Sequence, residues 1–182
     1  MLKHRDLFET DELFQLLRHP SVFPYVRHKA TSAEEYMFMT KQVIEEELLG
    51  KTISRTIIDD WGQPIGTISL YDIQDGAGFL GTWIGVPFQG KGYNQIAKRE
   101  FLTEIFFEHD FHTVFLRIRK ENEKSKRASL KLQYVICANE LHPALYEQIN
   151  AGPNKYDLYK IPKDLFFLVT ANENQEEEEQ AM

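Results

Sequence analysis

The sequence predicts a mixed α+β protein in which helices surround one β-sheet. Two observations support this prediction. Apolar residues recur at helical spacing within the first 50 positions, and runs of β-branched and aromatic residues then alternate with helical segments. The chain has 182 residues, of which 42% are hydrophobic and 27% are charged, a composition typical of one globular domain. We expect that domain to span residues 1–170.

Two helices are expected near the start of the chain. Thr10 precedes two acidic residues and is the expected N-cap of the first helix, which Pro20 ends. Ser32 and Glu35 have the spacing of a capping box, in which each residue satisfies a backbone amide of the other. The second helix is expected to stop at Gly50.

Three strands follow, and together they predict an antiparallel meander. They are expected at residues 52–59, 64–71 and 79–86, separated by turn sequences at 60–63 and 75–78. The rest of the chain alternates helices with strands. Helices are expected at about 94–108, 122–132 and 143–149, and strands at 113–119, 134–139, 156–161 and 165–169.

The last twelve residues, 171–182, are predicted to be a disordered acidic tail, because they hold four consecutive glutamates and no apolar cluster. Five of the 28 acidic residues lie in this segment, so the rest of the chain, with its 21 basic residues, is nearly neutral. A nucleic-acid-binding domain usually has a clear basic excess. We therefore expect no nucleic-acid partner.

The single cysteine, Cys137, excludes an intrachain disulfide and a cysteine-rich zinc site, and its apolar neighbours predict that it is buried. The segment Glu108–His112 has metal-like spacing, but a histidine at a helix C-terminus is a simpler explanation. No apolar run approaches the roughly 20 residues of a membrane helix, and no signal-peptide pattern opens the chain. We expect no metal, no membrane contact and a cytoplasmic location.

The most informative segment is the loop between the third predicted strand and the long predicted helix. Gly90 and Gly92 allow successive backbone amides to turn towards one point, and the helix start adds unpaired amides and the positive end of its dipole. Such a loop suits phosphate or diphosphate. Its spacing fits neither a P-loop nor a dinucleotide-binding turn.

The motif Gln89-x-x-Gly92-x-Asn94 resembles the Gln/Arg-x-x-Gly-x-Gly/Ala motif of the GNAT superfamily of N-acetyltransferases, which binds the pyrophosphate of coenzyme A. Asn94 replaces the final glycine or alanine. A second stretch, Asn122 to Tyr134, resembles the family segment in which an asparagine and a serine face the pantetheine arm. Here those residues are Asn122 and Ser125, and glutamine and tyrosine stand where the family usually has glycine and phenylalanine.

The resemblance extends more loosely from about Arg5 to Phe167, and the nearest subgroup acetylates the N-terminal amine of ribosomal proteins. It implies the GNAT fold, a single mostly antiparallel sheet that is splayed at the coenzyme A site and flanked by helices. It also implies acetyl transfer from acetyl-CoA to a primary amine, on a protein N-terminus or a small molecule, by direct attack in a ternary complex. A monomer or homodimer is expected.

The resemblance also implies the residues that bind the cosubstrate. Backbone groups of Ile84 and Val86 would contact the thioester and pantetheine, and Lys91 or Lys98 can add positive charge at the diphosphate. The implied binding residues are Ile84, Val86, Gln89, Gly90, Lys91, Gly92, Tyr93, Asn94, Asn122 and Ser125.

No catalytic acid or base follows from the resemblance. Many family members have a tyrosine acid where this chain has Ser129, and ribosomal-type relatives often have a glutamate base where it has Phe79. The amine can lose its proton through waters or to Tyr146, Glu140 or His142. The missing pair leaves open an alternative function, a non-catalytic acyl-CoA-binding sensor or partner protein.

Overall fold

The computed structural model describes residues 1–180, without the side chains of residues 174 and 176–180. Over residues 1–180 the fold is mixed α+β, with seven strands and mostly antiparallel pairing, and this architecture agrees with the prediction. The strands are β1 Leu2–His4, β2 Ile53–Ile58, β3 Pro64–Gln74, β4 Ala77–Ile84, β5 Thr113–Arg119, β6 Ile136–Cys137 and β7 Tyr156–Pro162. The α-helices are α1 Thr10–Leu17, α2 Ala33–Leu48, α3 Tyr93–Phe107, α4 Glu123–Leu130, α5 Pro143–Ile149 and α6 Lys163–Gln180.

The chain divides into two compact units. The first contains Met1–Gln74 and Leu80–His109, and the second contains Asp75–Phe79 and the chain from Asp110 onward. Strand β4 therefore contributes its first residues to the second unit and the rest to the first. The domain boundary at residue 170 stays a prediction.

In the first unit, β2 pairs antiparallel with β1 on one side and with β3 on the other. The predicted hairpin between β2 and β3 is confirmed. The carboxylate of Asp59 accepts hydrogen bonds from the amides of Trp61, at 3.0 Å, and Gln63, at 2.9 Å, which closes the turn. Strand β1 was not predicted, because three residues are too few to show a pattern.

The helix starts of the first unit differ from expectation at one position. Thr10 does not cap α1, since its hydroxyl donates to the carbonyl of Leu7 at 2.8 Å, within a short 3₁₀ turn that Asp6 caps. At α2 the Ser32 hydroxyl accepts from the Glu35 amide at 3.1 Å, as predicted. The Glu35 carboxylate accepts from the amide and hydroxyl of Thr31.

Helices α1 and α2 and the segment between them build an apolar cluster beside the end of β4. Its buried members are Leu13, Phe14, Leu17, Val22, Val26, Ala30 and Tyr36. Trp83 of β4 and Val86, just beyond that strand, pack against the cluster. The end of β4, from which the glycine loop departs, is therefore anchored in a hydrophobic core.

Helix α3 is attached to the same unit by a buried arginine. Arg55 of β2 pairs with Glu47 of α2 at 2.6 Å and with Glu104 of α3, and its side chain is only 8% exposed. A buried arginine keeps its charge and needs such partners. These ion pairs connect α2, β2 and α3.

In the second unit, β7 lies between β5 and β6 and pairs antiparallel with both, and the first residues of β4 pair parallel with β5. The prediction that Cys137 is buried is wrong, because its side chain is exposed. Strand β6 has only two residues, and the buried positions on either side of it are Val135 and Ala138.

The prediction of a strand at residues 165–169 is also wrong, because they belong to α6. Phe166 and Val169 are buried at helical spacing. A short apolar run fits the period of a helix as well as that of a strand, so the sequence could not distinguish them. The helix continues to Gln180 through most of the segment predicted to be disordered. Glutamate is a good helix former, and extending an existing helix needs no new nucleus. Residues 181 and 182 of the predicted tail lie outside the described residues.

Among residues 1–180, no helix combines the length and the apolar character that crossing a bilayer requires.

Gly66 of β3 generates a prediction about this fold. A Cβ atom there would overlap the carbonyl oxygen of Trp83 and lie 3.0 Å from the Cα of Ile84, both backbone atoms of β4. We expect Gly66→Ala to lower the free energy of unfolding by about 1–3 kcal/mol, because backbone cannot move aside as a flexible side chain can. Urea unfolding followed by far-UV circular dichroism measures this in both units, and tryptophan fluorescence follows the first unit, which contains both tryptophans.

The matched control is Gly152→Ala, where a Cβ atom would meet nothing within 4 Å. It should change the stability by less than about 0.5 kcal/mol. Equal stability of Gly66→Ala and the parent protein would contradict the close approach of β3 and β4.

Candidate functional site

The loop between β4 and α3 has the backbone geometry that its glycines predict. After β4 the chain makes a 3₁₀ turn at Val86–Phe88 and reaches α3 at Tyr93. Gly90 has φ +78° and Gly92 has φ +87°, both in the left-handed region that favours glycine. A Cβ atom at either position would meet nothing within 4 Å. The backbone therefore requires glycine here, and the space beside the loop is open.

The start of α3 leaves amide hydrogens available. The carbonyl of Gly92 accepts from the amides of Gln95, at 2.9 Å, and Ile96, at 3.2 Å. No side chain caps the helix at Gly92. The amides of Tyr93 and Asn94 consequently have no acceptor within the helix, and they lie at the positive end of its dipole. This arrangement suits an anion.

Gln89 braces the loop. Its side-chain amide donates to the carbonyl of Ile84 at 2.7 Å, and its backbone amide donates to the carbonyl of Val86 at 3.2 Å. The first residue of the motif therefore ties the loop back to the end of β4. We conclude that Gln89 positions the loop in this structure.

Two side chains fix the first turn of α3. The Thr82 hydroxyl of β4 donates to the side-chain oxygen of Asn94 at 3.3 Å. The Tyr93 hydroxyl donates to the carboxylate of Asp60 at 3.4 Å, and burial together with that carboxylate raises the pKa of Tyr93. Asn94, which departs from the family motif, thus has a partner on the strand.

Lys91 and Lys98 differ in their exposure to solvent. Lys91 is exposed, and its ammonium lies 5.6 Å from the ring centre of Phe88. Lys98 is only 4% exposed, and burial lowers the pKa of its ammonium to about 8. No hydrogen bond or ion pair joins Lys98 to another residue in the described part of the chain.

In the second unit, Asn122 begins α4, as predicted. Its side-chain oxygen accepts from the amide of Ser125 at 3.1 Å. Asn122, Ser125 and Ser129 share one face of the helix at spacings of three and four residues. Ser129 is 1% exposed, and its hydroxyl has no hydrogen-bond partner. Buried hydroxyls are rarely left in this state, so this face has unused hydrogen-bonding capacity.

The three candidate proton acceptors also lie in the second unit. Glu140 is exposed, and the ring of Tyr146 lies 5.7 Å from the ammonium of Lys120. The His142 Nε2 lies 3.5 Å from the Lys160 ammonium. Burial and the charge of Lys160 lower the pKa of His142, so its imidazole is neutral at neutral pH.

Each unit by itself offers unused polar groups. The glycine loop of the first unit has open space and unpaired amides, which suit a phosphate or diphosphate. In the second unit, the buried Ser129 hydroxyl of α4 has no hydrogen-bond partner among the described residues. In the part of the chain that the structure describes, no three acidic, histidine or cysteine side chains form a metal-binding group.

The sequence indicated the loop and the α4 pair but missed the roles of Thr82 and Asp60, which depend on partners distant in sequence. The sequence also contains a signal for the burial of Lys98. This residue stands on a helical face that Phe101 and Leu102 identify as buried, and a charged residue at such a position is unusual.

Comparison with known proteins gives a consistent result. Residues 2–135 match the family model described as an acetyltransferase (GNAT) domain. No curated protein matches the sequence.

Solved structures share the fold at low identity. The ribosomal-protein-S5-alanine acetyltransferase from Vibrio fischeri has 19% identity and TM-score 0.68, covering 90% of this chain and 92% of its own. Apo FdhC, a nucleotide-linked sugar GNAT, has 16% identity and TM-score 0.76, covering 95% and 92%. A chimera of the spermidine N-acetyltransferase SpeG from Vibrio cholerae with hSSAT has 14% identity and TM-score 0.71, covering 92% and 97%.

The buried charge of Lys98 generates a prediction about stability. Lys98→Met should raise the free energy of unfolding by up to about 3 kcal/mol at pH 7, because methionine fills the space without an ammonium. Below pH 8 both the folded and unfolded states are protonated, and the folded state bears the full penalty. Between pH 8 and 10.5 the folded state releases the proton while the unfolded state keeps it, so the free energy of unfolding of the parent protein rises with pH. The difference in stability between Lys98→Met and the parent protein should therefore shrink.

Urea unfolding at pH 7 and pH 10 measures the difference. Lys41→Met, which removes an exposed lysine of α2, is the control and should change stability by less than about 0.5 kcal/mol. If Lys98→Met exceeds the parent protein in free energy of unfolding by the same amount at pH 7 and pH 10, the buried ammonium is not the cause of the difference.

Proposed function

Since the chain belongs to the GNAT acetyltransferase family, we propose that it transfers the acetyl group of acetyl-CoA to a primary amine by direct attack in a ternary complex. The observation that carries the proposal is the glycine loop. Gly90 and Gly92 hold it in a conformation that leaves the first amides of α3 without acceptors and the adjacent space open. A diphosphate is the ligand that such a loop suits best.

Each part of the loop has a role in this proposal. Gly90, Lys91 and Gly92, with the amides of Tyr93 and Asn94, hold the diphosphate. Gln89 keeps the loop in place through its bond to the Ile84 carbonyl. The pantetheine arm is assigned to main-chain groups of Ile84 and Val86 and to the side chains of Asn122 and Ser125.

The end of β4 favours two particular amides as donors to the thioester carbonyl. The Gly85 amide donates to the Ile65 carbonyl of β3 at 2.8 Å. Because amides alternate in direction along a strand, those of Ile84 and Val86 point away from β3. When bound, acetyl-CoA supplies an activated carbonyl, and the protein contributes chiefly by positioning, an effect worth roughly 7–11 kcal/mol. Amides aimed at the developing oxyanion add to it.

The attacking amine must be neutral, and His142 is the residue we propose to accept its proton. Its imidazole is neutral at neutral pH because burial and Lys160 lower the pKa. An edge contact with the ring of Phe115, whose centre lies 5.1 Å away, orients the imidazole. The Nε2 atom lies 3.5 Å from the Lys160 ammonium, so it must turn away from that lysine before it accepts the proton. Glu140 is exposed and has no comparable restraint.

The acceptor is proposed to be a protein N-terminus or a small-molecule amine. Structural neighbours act on an alanine of a ribosomal protein and on spermidine, and both present amines. The near-neutral body of the chain gives little long-range attraction for an acceptor of either charge. Membership of the ribosomal-type subgroup, a cytoplasmic location and a monomeric or homodimeric state remain parts of the same proposal.

Gly92→Glu tests coenzyme binding. A carboxylate in the loop should repel the diphosphate and weaken acetyl-CoA binding by at least about 100-fold, measured by calorimetry at neutral pH. Gly50→Glu is the matched control, because Gly50 also has a positive φ, +69°, and nothing within 4 Å. Equal affinity of the two variants for acetyl-CoA would overturn the assignment of the loop.

His142→Gln tests the proton acceptor. With an amine panel and release of free thiol as the readout, kcat/KM of the parent should fall on the acid side, at a lower pH than an ordinary imidazole would give, because the pKa of His142 is lowered. The variant should lose about 100-fold or more in kcat and the acid limb of the profile.

Glu147→Gln, an exposed change on α5, is the control for His142→Gln. An unchanged rate and profile in His142→Gln would exclude His142 and leave the role to water, Glu140 or Tyr146. Acetyl-CoA binding without thiol release for any amine would instead support the non-catalytic alternative.

A further inference from the structure

Lys98 is a buried cation without a counter-ion among the side chains that the structure describes. It lies in the second turn of α3 and is 4% exposed, on the same helical face as the fully buried Phe101 and Leu102. Burying an ammonium without a partner is costly, so such residues are rare unless a ligand supplies the charge.

The charged groups on the elements around α3 already have partners other than Lys98. In the elements that pack against it, Lys3 of β1 pairs with Glu9, Asp72 of β3 pairs with Arg27, and Arg55 of β2 pairs with Glu47 and Glu104. His4 of β1 lies 3.9 Å from Glu47, and Asp60 accepts from Tyr93. None of these groups contributes to the lowered pKa of Lys98, which burial alone causes.

The direction of Lys98 follows from helix geometry. Side chains on an α-helix lean towards its N-terminus and cover the preceding turn. Lys98 stands four residues after Asn94, a rise of about 6 Å, which a lysine stem can span. Helix geometry therefore favours an ammonium directed towards the first turn of α3, where the amides of Tyr93 and Asn94 lie.

We propose that Lys98 is a built-in counter-ion for the coenzyme diphosphate and takes up a proton when the coenzyme binds. This inference rests on the proposed function. The unpaired cation and the free amides of Tyr93 and Asn94 meet at the same end of α3, and a single anion satisfies both. The proton passes from solvent to the Lys98 Nζ, and no bond of the coenzyme changes.

The proposal predicts a specific coupling between binding and pH. In the free protein at pH 8 about half of the Lys98 side chains are neutral. A diphosphate nearby favours the charged form. Binding should therefore take up about half a proton at pH 8 and about 0.1 at pH 7, and affinity should fall about tenfold between pH 7 and pH 9.

Calorimetric titration of acetyl-CoA in buffers of different ionisation enthalpy measures this proton uptake directly. Acetyl-CoA is preferred to coenzyme A because its sulfur is acylated and cannot titrate. The 3′-dephospho form should give the same uptake. Loss of uptake with that form would place Lys98 at the 3′-phosphate and overturn the assignment to the diphosphate.

Three variants separate the counter-ion from a merely buried lysine. Lys98→Met should bind acetyl-CoA at least tenfold more weakly at pH 7, with no proton uptake and little pH dependence. Lys98→Arg retains the charge at pH 8 and should bind more tightly than Lys98→Met, again without uptake. Lys41→Met, the control for net charge, should behave like the parent.

The possible failures are distinguishable. Binding by the parent without proton uptake, or equal affinity of Lys98→Met and the parent, overturns this inference and leaves the proposed function intact. Absence of acetyl-CoA binding by the parent overturns both. The parent measurement needs no variant, so the inference is tested even if a substitution prevents folding.

Discussion

The amide hydrogens at the start of α3 are the constraint on which the rest of the structure depends. Two glycines with positive φ turn the chain so that the helix begins without a cap, which leaves polar groups that the protein itself does not satisfy. A helix start that opens onto free space can hydrogen-bond water in the unbound protein, and it is a ready binding site for an anion. The surrounding contacts are best understood as the means of keeping this opening in place.

Three side-chain hydrogen bonds within the first unit make these contacts. Gln89 bonds to the end of β4, Thr82 bonds to Asn94, and Asp60 bonds to Tyr93. Each bond alone contributes modestly, about 1 kcal/mol, but together they restrict a short glycine segment that would otherwise be mobile. A loop fixed before the ligand arrives loses less entropy on binding, which is the usual basis of preorganised affinity.

Much of this architecture could be predicted from local signals. The hairpin turn closed by Asp59, the Ser32 cap and the turning backbone at Gly90 and Gly92 depend on residues close in sequence, and the structure contains all three. Anion binding by the loop stays a prediction. Predictions failed where tertiary context decides. The apolar run beginning at Leu165 fits the spacing of a helix as well as that of a strand. The exposure of Cys137 depends on the shortness of an edge strand. The partners of Asn94 and the isolation of Lys98 could not be predicted, because both depend on chain segments brought together only by folding.

The burial of Lys98 has a practical consequence for preparing the protein. Raising the pH above 8 neutralises the Lys98 ammonium, which removes an unfavourable buried charge and stabilises the unbound protein. On the proposal made above, it also lowers the affinity for the coenzyme. Mild alkali would then strip a copurified coenzyme while the polypeptide stays intact. Storage near neutrality would favour the loaded form.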